Sequence, residues 1–294
     1  MNAPVRSMLF VPGDSERKLD KALGTGADAL IIDLEDAVSD SRKALARELT
    51  GAFLDSRGAS SAEPQLWVRV NPLTSPYALA DLAAVVRATP AGIVVPKIDG
   101  PQDLTTISNH LDALEVAYGV APGSVKLLPV VTETPAAALN LAAMGANPGS
   151  SRVYGFTWGA EDLSAAVGAS TNLAAGGTWA PTYLLVRSQT LLAAAAAGVH
   201  AVETLFVDIT DVDGLMSATR AARREGFTGR IAVHPRQVEV INEAFTPSAE
   251  EVDFAQRVVE AFASGDTGTA ALDGKMLDAP HLRQAHQLLA SVSR

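Results

Sequence analysis

Apolar positions along the chain fall in short continuous runs, each followed by a polar turn and then by a stretch with helical spacing. The runs are Met8–Val11, Ala29–Asp33, Trp67–Val70, Ile93–Val95, Leu127–Val131, Arg152–Phe156, Val202–Val207 and Arg230–Val233. Helical patterns follow them at Glu16–Leu23, Arg42–Leu54, Leu79–Ala88, Gln102–Val116, Ala136–Ala143, Tyr183–Ala197, Val212–Glu225 and Gln237–Ala244, with a shorter one after Asp162. Strand-length apolar runs that alternate with helices predict a parallel sheet covered on both faces. Eight such units predict closure into a (β/α)8 TIM barrel, a fold of about 250 residues. An open doubly wound sheet is the alternative, and the absence of Gly-x-Gly-x-x-Gly after the first run speaks against it. Residues 1–246 are therefore assigned to a barrel and 247–294 to a C-terminal extension. That extension reads as a helix at Glu250–Phe262, a Gly/Thr/Ser linker at Ser264–Ala270, a hairpin at Ala271–Leu277 turning on Asp273-Gly274, and a last helix at Pro280–Ser291.

Composition narrows the function. Apolar residues make up 48% of the 294, enough to fill a large core, and the formal charge is −10. An acidic surface repels phosphate backbones, so no nucleic acid partner is expected, and an anionic ligand would need local cations or a metal. The chain has no cysteine, which removes disulfides, zinc–thiolate sites and cysteine nucleophiles. The apolar run within Met1–Pro12 is too short for a signal-peptide core. The longest apolar stretch, Leu191–Val199, falls well below the ~18 residues of a membrane span. A cytoplasmic protein with no membrane partner is the expectation.

In such barrels the chemistry sits at the C-terminal ends of the strands. Asp33, Glu35 and Asp36 follow the second run, Arg69 and Asn71 close the third, and Lys97 follows the fourth. Glu133 closes the fifth, Asp162 follows the sixth, Asp208 the seventh and His234 the eighth. Glu133 and Asp162 lie on adjacent predicted strands, and two carboxylates with open positions between them suit Mg²⁺, a cation that takes oxygen ligands and keeps exchangeable waters. Either could equally cap the helix that follows it. Arg69, inside an apolar strand, needs a partner, either a structural carboxylate or an anionic substrate. The acidic cluster Asp33-Leu34-Glu35-Asp36 is either a solvated capping loop or an outer shell holding waters of a metal. Lys97 could form a Schiff base, a rival mechanism. His234, before Pro235, is assigned to packing or capping rather than to catalysis.

The segments RSMLFVPG, GADALIIDLEDAV, LWVRVNP, VVPK, VVTETP, WGAEDLSA, AVHPRQVEVINEAF and DGKMLDAPHLRQA, in this order from Arg6 to Ala285, resemble the HpcH/HpaI aldolase/citrate lyase family. Within it they are most similar to the citrate lyase β-subunit-like and malyl- or citramalyl-CoA lyase branch. The resemblance implies a Mg²⁺-dependent (or Mn²⁺-dependent) barrel with Glu133 and Asp162 as metal ligands, and Arg69 binding a substrate oxygen. It places Glu35 and Asp36 beside the metal waters, and makes Asp278 a catalytic acid/base that a neighbouring subunit's C-terminal part can supply as a lid. Three features depart from the pattern: Pro135 after Glu133-Thr134, Glu203-Thr204-Leu205 in the seventh strand, and the Gly-rich stretch Gly168–Ala180.

The function implied is a carbon–carbon lyase or synthase. It would cleave a 3-hydroxyacyl-CoA thioester, such as malyl-CoA, citramalyl-CoA or a citryl thioester, to a 2-oxo acid and an acyl-CoA. Arg17 and Lys18, with Lys21, are candidates to bind the phosphates of CoA, and an ordinary solvated helix face is the alternative for them. Other readings are a malyl-CoA-type thioesterase, a CoA-independent 2-oxo acid aldolase, and a citrate lyase β subunit working only in a complex with an acyl carrier protein. A homotrimer or a multiple of three is implied by the resemblance alone.

Overall fold

The computed structural model describes residues 4–57, 64–263 and 268–292. They form two compact units, one ending at Asn242 and one beginning at Glu243. The boundary falls inside the helix Arg236–Phe245, a few residues before the expected one.

The first unit is the expected (β/α)8 barrel. Its strands are β1 (Ser7–Pro12), β2 (Ala29–Asp33), β3 (Gln65–Arg69), β4 (Gly92–Val95), β5 (Lys126–Pro129), β6 (Gly155–Thr157), β7 (His200–Glu203) and β8 (Gly229–Ala232). They are ordered β5-β4-β3-β2-β1-β8-β7-β6, and every pairing is parallel. Parallel bridges Leu127–Val153 and Val130–Thr157 join the two ends of that order, so the sheet closes. The helices are α1 (Glu16–Ala22), α2 (Lys43–Arg57), α3 (Ala78–Val86), α4 (Pro101–Tyr118), α5 (Pro135–Leu139), α6 (Leu141–Ala146), α7 (Ala160–Ala166), α8 (Pro181–Ala197), α9 (Val212–Glu225) and α10 (Arg236–Phe245).

Side chains from every strand or the residue beside it fill the barrel, among them Met8, Ile31, Trp67, Val94, Leu128, Tyr154, Val202 and Ile231. This is a packed core rather than a pore. The largest of these groups, Trp67, is accommodated by a neighbour without a side chain: Gly92 is its register partner on β4, and a Cβ there would lie 2.3 Å from the indole.

Two local departures from the expected elements have physical causes. The sixth strand begins at Gly155 rather than Arg152: before it the chain meets β5 only through the isolated bridge Leu127–Val153, while the Arg152 guanidinium turns toward Asp112 and Glu115 of α4 and donates to Val125 O at 3.1 Å. The helix expected at Ala136–Ala143 is broken at Asn140, whose side-chain amide donates to Asp99 O at 2.9 Å.

The second unit packs α11 (Ala249–Ala263), a hairpin of β9 (Thr269–Leu272) and β10 (Lys275–Asp278), and α12 (Ala279–Val292) around Ala255, Val258, Leu277 and Ala285. Asp273 and Gly274 both take positive φ, 50° and 74°, as a tight two-residue hairpin turn requires. Of the expected Ser264–Ala270 linker, residues 264–267 lie outside the described residues, and Thr269 and Ala270 already belong to β9. No helix among the described residues is long and apolar enough to cross a membrane.

Candidate active site

Asp33 and Arg69 are the last residues of neighbouring strands and are register partners, which sets their side chains face to face. Arg69 donates from Nε and Nη2 to the two Asp33 oxygens, each at 2.7 Å, in the bidentate geometry that makes an arginine–carboxylate pair strong. The same oxygens accept from the backbone N–H groups of Glu35 and Ala37, so Asp33, 1% exposed, also shapes the loop that follows β2. The third nitrogen of Arg69, Nη1, forms an ion pair with Glu35 Oε2 at 3.0 Å without hydrogen-bond alignment. The guanidinium lies over the Phe10 ring, 4.5 Å from its centre. Loss of water lowers the pKa of Arg69, and its acidic partners more than reverse this, holding the group charged. Burial pushes the Glu35 carboxyl up, opposed by Arg69 and Lys97. Asp36, next along, is half-exposed.

The mouth of β4, β5 and β6 carries the second half of the site. Thr132 and Gly159 stitch the loops after β5 and β6 together: Gly159 N–H donates to Thr132 Oγ1 at 3.0 Å, and that hydroxyl donates to Gly159 O at 3.2 Å. Glu133 follows Thr132, and Asp162 follows Gly159 on the first turn of α7. A Cβ at Gly159 would come within 2.8 Å of Glu133 Cγ, so only glycine lets the two loops approach this closely. Glu133 is 5% exposed; its Oε2 accepts from Lys97 N–H at 2.6 Å, and no described residue donates to Oε1. Desolvation, then the charge of Asp162, push its pKa up to about 8. Lys97 Nζ lies 2.5 Å from Glu35 Oε1, 3.2 Å from Asp36 Oδ2 and 3.5 Å from Asp162 Oδ1. These acids hold the ammonium protonated against the opposing effect of burial, which suits a cation and not the free amine a Schiff base needs.

Glu35, Asp36, Arg69, Glu133 and Asp162 thus converge at the strand ends with Asp33 of the same acidic cluster, joined by Gly159, which was not assigned to the site. The donor set is all oxygen. Among the described residues no group of three or more His, Asp or Glu side chains is arranged to hold an ion. Two carboxylates are nonetheless what Mg²⁺ takes from a protein when water and substrate complete its shell. Glu133 Oε1 accepts from no described residue, and the charge of Asp162 acts on the same carboxylate, so the two acids fit a cation shared between them.

Other expected residues lie elsewhere. Arg17 and Lys18 are exposed on α1. His234 Nδ1 accepts from Arg236 N–H at 3.2 Å, at the start of α10, which is a capping role. Asp208 caps its own loop through Thr210. In the second unit, Asp278 Oδ1 lies 2.6 Å from His281 Nδ1.

The two least familiar segments prove to be supports. Glu203, 1% exposed, accepts from Trp158 Nε1 at 2.6 Å and from Arg187 Nε at 2.7 Å. In the Gly-rich stretch, Trp179 packs edge-on against Trp158 at 5.1 Å, and Asn172 donates to Glu161 at 2.8 Å. Glu161 is thereby used to tie that stretch to the helix carrying Asp162.

A closed parallel barrel with an arginine–carboxylate pair, an ammonium and a half-buried acidic pair at its strand ends belongs to the (β/α)8 enzymes. The chain is a member of the HpcH/HpaI aldolase/citrate lyase family, whose model matches residues 6–235, and a model for C–C bond lyases of the TIM-barrel fold matches residues 188–293. It is 33% identical to a (3S)-malyl-CoA thioesterase of Cereibacter sphaeroides, over 98% of this chain and 94% of that one. It is 30% identical to the mitochondrial citramalyl-CoA lyase of Rattus norvegicus, over 97% of this chain and 85% of that one. Among solved structures it is similar to protein CitE of Mycobacterium tuberculosis in complex with magnesium, acetoacetate and coenzyme A, at 30% identity, full coverage of both chains and a TM-score of 0.82.

Proposed function

We propose that this protein is a Mg²⁺-dependent carbon–carbon lyase that cleaves the CoA thioester of a carboxylate-bearing 3-hydroxy acid to a 2-oxo acid and an acyl-CoA, or joins them in reverse. The observation that carries the reading is Glu133: a carboxylate at a strand end with one oxygen that accepts from no described residue, close enough to Asp162 to feel its charge and beside a charged Arg69. The relatives support the substrate class, since one is named for citramalyl-CoA cleavage and another structure holds magnesium with coenzyme A.

Glu133 and Asp162 would hold the metal, which when bound supplies Lewis-acid polarisation of the substrate oxygens. Cleavage removes the hydroxyl proton and breaks the bond between the carbinol carbon and the thioester α-carbon. The electron pair moves into a thioester enolate, and the α-carbon then takes up a proton. Arg69, fixed on Asp33 and Phe10, stabilises the oxygen on which negative charge grows. Glu35 and Asp36 would orient water beside the metal. Asp278 delivers the α-carbon proton, acting from the second unit of a neighbouring subunit in a homo-oligomer. Arg17 and Lys18 offer positive charge to the CoA phosphates on an otherwise acidic molecule.

Thioester hydrolysis is the second reading, favoured by the (3S)-malyl-CoA thioesterase relative. Product analysis separates the two. Incubation with malyl-CoA or citramalyl-CoA and Mg²⁺ is expected to yield glyoxylate or pyruvate with acetyl-CoA in equal amounts. Free CoA and the intact hydroxy acid, with no 2-oxo acid, would overturn the lyase assignment in favour of hydrolysis.

A further inference from the structure

Lys97 touches all four acids of the site outside the Asp33–Arg69 pair. Its backbone N–H holds Glu133, and its ammonium reaches Glu35, Asp36 and Asp162. It does so from a left-handed backbone, φ 51°, which a residue with a Cβ adopts only when its surroundings enforce it. Asp33 and Arg69 neutralise one another in their bidentate pair. Glu35, Asp36 and Asp162 then share the Lys97 ammonium and the remaining edge of Arg69, with Glu133 beside them on the Lys97 backbone N–H.

A divalent cation bound to Glu133 and Asp162 and an ammonium 3.5 Å from Asp162 draw on the same negative charge and repel each other. We propose that the Lys97 side chain is the site's resident counter-cation, competing with the divalent metal for Asp162 and the Glu35–Asp36 pair and supplying positive charge to an anionic substrate instead. The idea rests on the metal reading given above. It divides Lys97 into two functions: the backbone N–H positions the ligand Glu133, and the ammonium sets the charge of the site. An ammonium already engaged by Glu35 and Asp36 is held at the mouth, where the carboxylate of a 2-oxo acid would arrive.

The two functions separate in a Lys97→Met variant, which keeps the backbone N–H, the β-carbon and most of the side-chain length but removes the charge. Calorimetric titration of Mg²⁺ into metal-free protein is expected to show affinity rising by about tenfold in Lys97→Met. Titration of pyruvate or glyoxylate into the Mg²⁺-loaded protein is expected to show affinity falling by a similar factor. Lys97→Arg, which retains the charge, should restore both toward the wild-type values. A purely structural lysine would weaken both ligands together on substitution, so the opposed signs are diagnostic. Metal affinity in Lys97→Met equal to or below wild type overturns the proposal. If circular dichroism shows that Lys97→Met does not fold, Lys97→Gln is held to the same criterion. Glu133→Gln serves as the control for the underlying reading: if it binds Mg²⁺ as tightly as wild type, the metal site itself is misplaced, whatever Lys97 does.

Discussion

Glu133 carries an electrostatic cost that has a definite sign. Its pKa is raised from 4.5 to about 8 in the folded chain, so its contribution to stability is fully present below pH 4.5 and is lost as pH rises toward 8. Metal-free protein should therefore lose a few kcal/mol of stability across that window. Glu133→Gln should flatten the profile, and thermal melts in EDTA between pH 5 and 8.5 check both. Metal entry requires the carboxylate form, so Mg²⁺ binding at pH 7 should release about one proton, measurable by calorimetry in buffers of different ionisation enthalpy. Arg69 makes a different prediction. Because Asp33 and Phe10 fix the guanidinium rather than merely neutralise it, Arg69→Lys should lower kcat by about 10²–10³ while the fold is retained.

At the level of elements, the site depends on how closely the loops after β5 and β6 approach. Gly159→Ala would push a methyl group against Glu133 Cγ, and the strain of overpacking, about 1–3 kcal/mol, should appear as a lower melting temperature together with weakened Mg²⁺ binding. Much of this framework was legible in the chain. The alternation of apolar runs with helical spacing gave eight strands because a doubly covered parallel sheet needs continuous apolar runs, and β2 and α9 were placed to the residue. Acids and Arg69 at strand ends were legible for the same reason: the barrel puts such positions at its mouth. Other features depend on partners distant in sequence and were not legible. Arg152, at the start expected for the sixth strand, spends its guanidinium on Asp112 and Glu115 of α4. Asp33 pairs with Arg69 only through a register between β2 and β3 that pattern does not specify. Glu203 departs from the family pattern, and its partners come from α8 and the loop after β6. Lys97 was weighed as a nucleophile from its place at a strand end, because its acidic neighbours come from the ends of three other strands and pattern does not show them.

For the molecule as a whole, the division into two units gives Asp278 its own test. If the second unit of one subunit serves the barrel of another, a Glu133→Gln chain and an Asp278→Asn chain, each inactive alone, should regain part of wild-type activity when co-expressed as mixed oligomers. No recovery would assign Asp278 to its own barrel or to no catalytic role. The acidic surface makes the few exposed cations of α1 consequential: Arg17→Ala with Lys18→Ala should raise KM for the CoA ester several-fold with kcat unchanged, and the effect should shrink at high ionic strength. The most direct test of the central claim is release of 2-oxo acid from a 3-hydroxyacyl-CoA by protein stripped with EDTA, then supplied with excess Mg²⁺, in wild type and Asp162→Ala. Turnover should vanish on stripping, return with Mg²⁺ in the wild type and stay absent in a folded Asp162→Ala. Undiminished turnover in excess EDTA, or wild-type rates in Asp162→Ala, would contradict the account.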